Sequence, residues 1–276
     1  MPASLLQLRN LSVRYFPRNG APTLALDAAN LSIVRGEIVG ILGESGSGKT
    51  TLGQAVVTLL PTAAKYDGQV FFDGRDLMVA TERELSKIRG RHISLVPQDP
   101  ASALNPVMRI GTQIAEVLRA HEALDRKGRI QRIHELLAEV GLDDPERIGS
   151  SYPHQLSGGQ RQRVVIAMAI ACRPQLIIAD EPVSKLDLPL QLQVLELMSG
   201  IARKHCMALL WITHDPATLL GFADRIGVMQ AGQIVEQGPT EQIFRHPQHP
   251  YTQALVGLTQ EFALSERPLV NAHHAN

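Results

Sequence analysis

The sequence predicts an α/β fold with a parallel core sheet, an N-terminal antiparallel β layer and a helical subdomain. Three patterns carry this. Apolar strands alternate with helical segments from residue 160 to residue 223, as they do in βαβ crossovers. Apolar and polar residues alternate along Leu5–Tyr15, the period of a strand with one buried face. Between Pro100 and Tyr152 the apolar residues recur at helical spacing instead. A length of 276 residues allows two lobes or one large α/β domain. We expect one domain over 1–260, its helical part at about 100–156, and a frayed tail over 261–276.

Taken in order, Leu5–Tyr15 reads as a strand that turns at Pro17–Gly20 into a second strand, Leu24–Val34. Glu37–Leu42 is a third strand, and Lys49–Leu60 a helix closed by Pro61. Gln69–Phe72 leads into Asp73-Gly74, a tight-turn pair, and His92–Val96 is a further short strand. In the helical part, Ile114, Val117 and Leu118 form one apolar stripe; Ile130, Ile133, Leu136, Leu137 and Val140 form another. Then follow helix Gln160–Ala171, strand Leu176–Ala179, helix Leu190–Arg203, strand Ala208–Ile212 and helix Pro216–Ala223. Ile226–Met229 and Ile234–Gln237, joined through Ala231-Gly232, read as a closing hairpin.

Composition narrows the functional class. Lys and Arg total 27, matched by 27 Asp and Glu, so the basic excess of a dedicated nucleic-acid binder is missing. Only Cys172 and Cys206 could form disulfides or bind soft metals, and neither has a spacing partner. No apolar run approaches the roughly 18 residues of a membrane span, and Met1–Asn10 has no secretory pattern. The expectation is a cytoplasmic protein that reaches a membrane only through a partner.

Chemistry concentrates in three places. Gly43, Glu44, Ser45, Gly46, Ser47, Gly48, Lys49 and Thr50 match G-x-x-x-x-G-K-S/T in full, between an apolar strand and a helix. In that setting backbone N–H groups converge on a phosphate, Lys49 reaches the β/γ-phosphates, and the Thr50 hydroxyl can ligate Mg²⁺. The strand Leu176–Ala179 ends in Asp180 and Glu181. Alone, such a pair is as readily a solvated strand end. Following a phosphate loop, Asp180 is placed for the Mg²⁺ shell and Glu181 to take a proton from an attacking water. Leu156, Ser157, Gly158, Gly159 and Gln160 open a helix, which makes a second phosphate-binding terminus. One chain has no evident use for two cradles on one γ-phosphate unless the second serves a neighbouring subunit.

With these motifs the sequence resembles the ATP-binding cassette (ABC) ATPases over roughly Leu5–Tyr251. The resemblance implies that Tyr15, otherwise an ordinary strand aromatic, stacks on adenine, and that Thr51 joins Thr50 in the nucleotide site. It implies that Gln98 senses Mg²⁺ and the attacking water, and that His214 is the switch histidine near the γ-phosphate. Asp187 matches the aspartate of the loop at the dimer interface, and Ser157–Gln160 would meet ATP held by the partner subunit. The segments Gln98–Pro106, Ser151–Gln155 and His249–Leu255 are similar to the oligopeptide, dipeptide and nickel importer branch.

That branch implies the ATPase subunit of an importer on the cytoplasmic face of the inner or plasma membrane. Its partners would be integral permease subunits, a second ATPase subunit and, indirectly, an extracytoplasmic solute-binding protein, with no nucleic acid. Many members carry a C-terminal cysteine cluster, but no cysteine follows Cys206, so no iron–sulfur centre is expected. Val183 stands where the family usually has Thr, and Lys185 replaces a usual small residue. Two Lys185 ammonium groups facing each other would disfavour a homodimer, so a heterodimer is favoured and a homodimer remains possible. Three other classes share parts of this pattern: an accessory ABC ATPase such as those of phosphonate breakdown, a nucleic-acid or ribosome-associated ABC ATPase, and a P-loop kinase. The transported solute is not readable, because this chain would not touch it.

Overall fold

The computed structural model describes residues 4–17 and 20–263. Its frame is two sheets with a helix between them. The strands are β1 (Ser4–Tyr15), β2 (Thr23–Val34), β3 (Ile38–Leu42), β4 (Ala64–Phe72), β5 (Arg75–Asp76), β6 (Ile93–Val96), β7 (Leu176–Asp180), β8 (Ala208–Thr213), β9 (Arg225–Gln230) and β10 (Gln233–Pro239). An antiparallel sheet runs β2-β1-β4-β5, and a six-stranded sheet runs β10-β9-β3-β8-β7-β6. In the larger sheet β3 pairs in parallel with both β8 and β9, β7 with β6 and β8, and β10 closes the edge antiparallel to β9.

The two-residue period of a strand explains how one sheet serves two cores. Ile38 and Leu42 of β3, Ile177 of β7 and Trp211 of β8 face one core, which also contains the helical segment. Val39, Ile41, Ile178, Leu210 and Ile212 point the other way and meet Leu6, Leu8, Leu11 and Val13 of the antiparallel layer. Because both faces are covered, these central strands read as unbroken apolar runs rather than alternating ones.

The helices are α1 (Lys49–Val56), α2 (Glu82–Ile88), α3 (Pro100–Ala103), α4 (Ile110–His121), α5 (Arg126–Glu139), α6 (Pro145–Ser150), α7 (Gly158–Ile170), α8 (Leu188–Lys204), α9 (Thr240–Arg245) and α10 (Pro250–Ala263). Helix α1 stops four residues before the expected Leu60. Thr58 adopts φ 53°, and the Thr58 and Leu59 N–H groups bond back to Ala55 and Gln54 carbonyls at 3.0 and 2.9 Å. This is a left-handed helix stop without glycine; the branched run Val56–Val57–Thr58 weakens the helix there, although a left-handed conformation is itself uncommon for a branched residue. The helix expected at Pro216–Ala223 is a single 3₁₀ turn, Pro216–Thr218, capped by Asp215 and followed by Gly221 at φ 75°.

In the helical segment Ile114, Leu118, Ile133, Leu136, Leu137 and Val140 are buried as expected, but Ile130 is 48% exposed, on the wall of a groove beside α4 and α6. Sequence reading omitted α2, whose N-cap Thr81 and Glu84 form a capping box, and also α9 and α10. Most of the expected tail, from Leu264 on, lies outside the described residues, and α10 runs beyond the expected boundary at 260. Among the described residues no helix is long and apolar enough to cross a membrane.

Candidate functional site

The glycine-rich loop begins where β3 leaves the sheet and ends where α1 starts. Steric contact dictates two of its glycines. A Cβ on Gly43 would lie 2.3 Å from the Met229 carbonyl oxygen, and one on Gly48, at φ 103°, 2.3 Å from the Ala25 carbonyl oxygen. The turn between β9 and β10 also grips the loop, since the Gly232 N–H donates to the Ser47 carbonyl at 2.9 Å. Helix α1 therefore starts with a left-handed Gly48 as N-cap and with no capping side chain. Its first-turn N–H groups are left for a ligand.

Lys49, only 5% exposed, folds back over this loop. Its ammonium donates to the Gly43 and Glu44 carbonyls, each at 2.8 Å, and lies 3.9 Å from Glu181 Oε1. Burial pushes its pKa below the usual lysine value, against the pull of Glu181, Asp180 and Glu44. Asp180, at the tip of β7, accepts a hydrogen bond from Thr50 Oγ1 at 3.3 Å. Burial pushes its carboxyl above the ordinary range; the Thr50 bond opposes this, Glu181 adds to it, and Lys49 opposes it more weakly.

Glu181 is the hub. Besides Lys49, it accepts from Gln98 Nε2 at 2.9 Å and stands 3.1 Å from His214 Nδ1. Gln98 lies just beyond β6 and His214 just beyond β8, so adjacent parallel strands deliver all three side chains to one end of the sheet. The Glu181 backbone sits at φ 46°, uncommon for a residue with a side chain, and its N–H bonds to the Ile212 carbonyl at 2.9 Å. Strain of this kind clusters at functional sites.

The other expected residues lie elsewhere. The Tyr15 hydroxyl is 3.2 Å from Thr51 Oγ1, which ties the end of β1 to the first turn of α1. Ser157 caps α7: its Oγ accepts from the Gln160 N–H at 3.2 Å, while Gln160 Oε1 accepts from the Ser157 N–H at 3.0 Å. A Cβ on Gly158 would meet nothing within 4 Å; one on Gly159 would reach Leu190 at 3.3 Å. Asp187 caps the neighbouring α8 through the Leu190 N–H. Among the described residues no hydrogen bond or ion pair joins the Ser157–Gln160 turn to the Gly43–Thr51 loop.

Two departures from the family pattern acquire local accounts. Val183 is 3% exposed and packs into the larger core. Lys185 reaches Asp99 Oδ2 at 3.5 Å, so its charge is answered within the chain. Sequence reasoning missed one contact of the loop: the Glu44 N–H donates to the Tyr251 hydroxyl at 3.1 Å. The His249–Leu255 segment stood out only as a mark of the importer branch, and nothing in it points to residue 44.

This fold and this loop define the class: the chain belongs to the ABC transporter family, whose model matches residues 26–184. A second model, the oligopeptide/dipeptide transporter C-terminal region, matches 235–272. Within the family the chain is 44% identical to the dipeptide transport ATP-binding protein DppD of Escherichia coli, over 97% of this chain and 82% of that one. It is 43% identical to the oligopeptide transport ATP-binding protein OppD of Bacillus subtilis, over 91% of this chain and 71% of that one. It is 46% identical to the peptidoglycan transport ATP-binding protein YejF of Agrobacterium fabrum, but spans only 46% of that relative's length. Among solved structures, the dimeric cassette MJ0796 bound to ADP and Pi superposes with a TM-score of 0.75 at 30% identity, over 85% of this chain and 98% of that one.

Proposed function

We propose that this chain is the ATP-hydrolysing subunit of a membrane importer for peptides, nickel or a related small solute. The observation that carries the reading is the convergence of Lys49, Gln98 and His214 on Glu181 beside a complete phosphate loop. The names of the relatives, transporters of oligopeptides and dipeptides, support the branch. Residues 1–260 act as one cassette, with α3–α6 as its helical part.

Residues Gly43–Thr51 hold the phosphates, with Lys49 turning its third N–H to the phosphate oxygens while the Gly43 and Glu44 carbonyls keep the ammonium in place. Tyr15 receives the adenine. Glu181 accepts a proton from the attacking water, which Gln98 and His214 help to orient. Thr50 Oγ1, Asp180 and the Gln98 amide offer hard oxygen donors, a set that suits Mg²⁺. When bound, Mg²⁺ would neutralise charge building on the phosphate oxygens.

Ser157, Gly158, Gly159 and Gln160 meet the nucleotide of a second cassette, with Asp187 near the seam. Lys185 no longer argues for a different partner chain, because its own Asp99 offsets the charge on which that preference rested. A second cassette of either kind completes the site. Permease subunits hold the pair at the cytoplasmic face of the membrane, α3–α6 transmit closure to them, and a solute-binding protein acts outside.

The test is Glu181→Gln in the purified complex. Turnover falls by about 10²–10⁴-fold, the usual worth of a general base, while ATP binding persists. Turnover near that of the parent would remove Glu181 from the chemistry.

A further inference from the structure

The peptide group joining Gly43 to Glu44 is held from both sides. Its carbonyl accepts from the Lys49 ammonium at 2.8 Å, and its N–H donates to the Tyr251 hydroxyl at 3.1 Å. In a trans peptide these two groups point in opposite directions, so the two contacts fix the rotation of one plane. A restraint is needed at this point. Position 43 excludes a side chain, because a Cβ would lie 2.3 Å from the Met229 carbonyl oxygen, and glycine leaves the flanking dihedrals free.

Tyr251 is itself anchored. Its N–H donates to His249 Nδ1 at 3.2 Å, and the Gln248 and His249 N–H groups donate to the two carboxylate oxygens of Glu236 at 2.8 and 3.0 Å. Thr252 and Val256, one and five positions on, are buried. The start of α10 is therefore a strap fastened to β10, and the tyrosine hydroxyl is its contact with the phosphate loop.

We infer that Tyr251 is a positioning residue for nucleotide binding: its hydroxyl holds the Gly43–Glu44 peptide in the orientation that seats the Lys49 ammonium against the loop. This rests on the reading of Gly43–Thr51 as the nucleotide site. With the peptide held, the loop meets phosphate already in its bound form, and the ordering cost of binding is lowered. Without the hydroxyl the plane can rotate, and the carbonyl and Lys49 lose their register. The effect belongs to binding and not to the chemical step, because among the described residues no hydrogen bond or ion pair joins Tyr251 to Glu181, Gln98 or His214.

The test is Tyr251→Phe in the full-length chain, which removes one oxygen and keeps the ring. We would measure the ADP dissociation constant, ATP kcat and KM, and the melting temperature without nucleotide. Gln253→Ala is the control; it removes a strap bond to the Pro247 carbonyl at 3.0 Å, remote from the loop. The expected result is a rise in ADP Kd and ATP KM of more than twofold and up to about tenfold, the range of one hydrogen bond. The kcat stays within twofold, and the control does not change. Kd and KM within twofold of the parent would overturn the inference. So would an equal effect from Gln253→Ala, or a fall in kcat and melting temperature in step with binding, which would make Tyr251 a fold residue only. A parent chain that binds no nucleotide would overturn the underlying reading as well, and that outcome is distinct from the others.

Discussion

The two glycine-rich helix starts, Gly43–Thr51 at α1 and Ser157–Gln160 at α7, look alike in sequence and differ in three dimensions. The first is closed by its own chain: Lys49, the Ala25 and Met229 carbonyls, Gly232 and Tyr251 all press on it. The second satisfies itself with a capping box and faces open space at Gly158. A loop built to grip something within its own subunit is crowded, whereas a loop meant for a neighbour's ligand has to remain uncovered. On the proposed function, glycine serves opposite ends at the two sites: it avoids internal collision at Gly48 and keeps external clearance at Gly158.

Gly48→Ala tests the crowded side and carries the largest expected effect. The new methyl meets a backbone carbonyl at 2.3 Å in a left-handed residue, a strain on the order of 1–3 kcal/mol before any relaxation. The melting temperature drops by several degrees and nucleotide binding is lost, both readable in one calorimetric series. Retained binding with an unchanged melting curve would show that the crowding is readily relaxed.

Gly158→Ala tests the open side. Its methyl has room in the lone chain, so melting temperature and ATP affinity stay at parental values. Turnover of the assembled complex falls by about 10²-fold, as expected when a reacting group is displaced by roughly 1 Å. A lower melting temperature in the lone chain would mean that Gly158 serves this fold and not a neighbour's ligand.

Asp180→Asn sharpens the electrostatics of the first cradle. Burial raises the folded-state pKa of Asp180 above its unfolded value. The charged carboxylate therefore costs stability above the folded pKa, and the cost vanishes below the ordinary carboxylate range. Asparagine keeps an acceptor for Thr50, so the variant melts higher than the parent at pH 7, and the gain shrinks as pH falls through the carboxylate range. A gain that persists unchanged at low pH would assign it to packing. The smallest effect is expected from Lys185→Ala: the Asp99 pair is exposed, worth about 0.2–1 kcal/mol at most. In a Glu181→Gln background, ATP-driven self-association should hardly change at low or high salt. A marked rise at low salt would restore repulsion as the reason for a different partner.

Reading the sequence alone located strands and cradles better than helix ends. The phosphate loop, Asp180 and Glu181 were legible because each follows an apolar strand, and strand period and burial are local signals; Gln98 and His214 stood out only through the resemblance to the ABC ATPases. The lost turn of α1 after Val56 was not, because Thr58 adopts a left-handed conformation that glycine usually marks. The false helix at Pro216–Ala223 has apolar residues at plausible spacing; the Thr218 hydroxyl bonding to the Asp215 carbonyl at 2.8 Å and the turn at Gly221 decide against it. The link between Tyr251 and Glu44 spans most of the chain, and no local pattern announces it.

The place of β3 in the sheet has a consequence for biosynthesis. Ile41 lies beside Ile212 on one side and Gly227 on the other, so the strand that launches the phosphate loop has no lateral partner among the first two hundred residues. At about 5–20 residues per second, a ribosome needs on the order of ten seconds or more to deliver those neighbours. During that interval the antiparallel β1–β2 hairpin, whose contacts are local, can already form. The apolar β3 has no such option. A nascent chain would therefore acquire nucleotide affinity abruptly and late, once β8 and β9 have emerged, and until then the segment Ile38–Leu42 is the stretch with most reason to be sheltered by a chaperone.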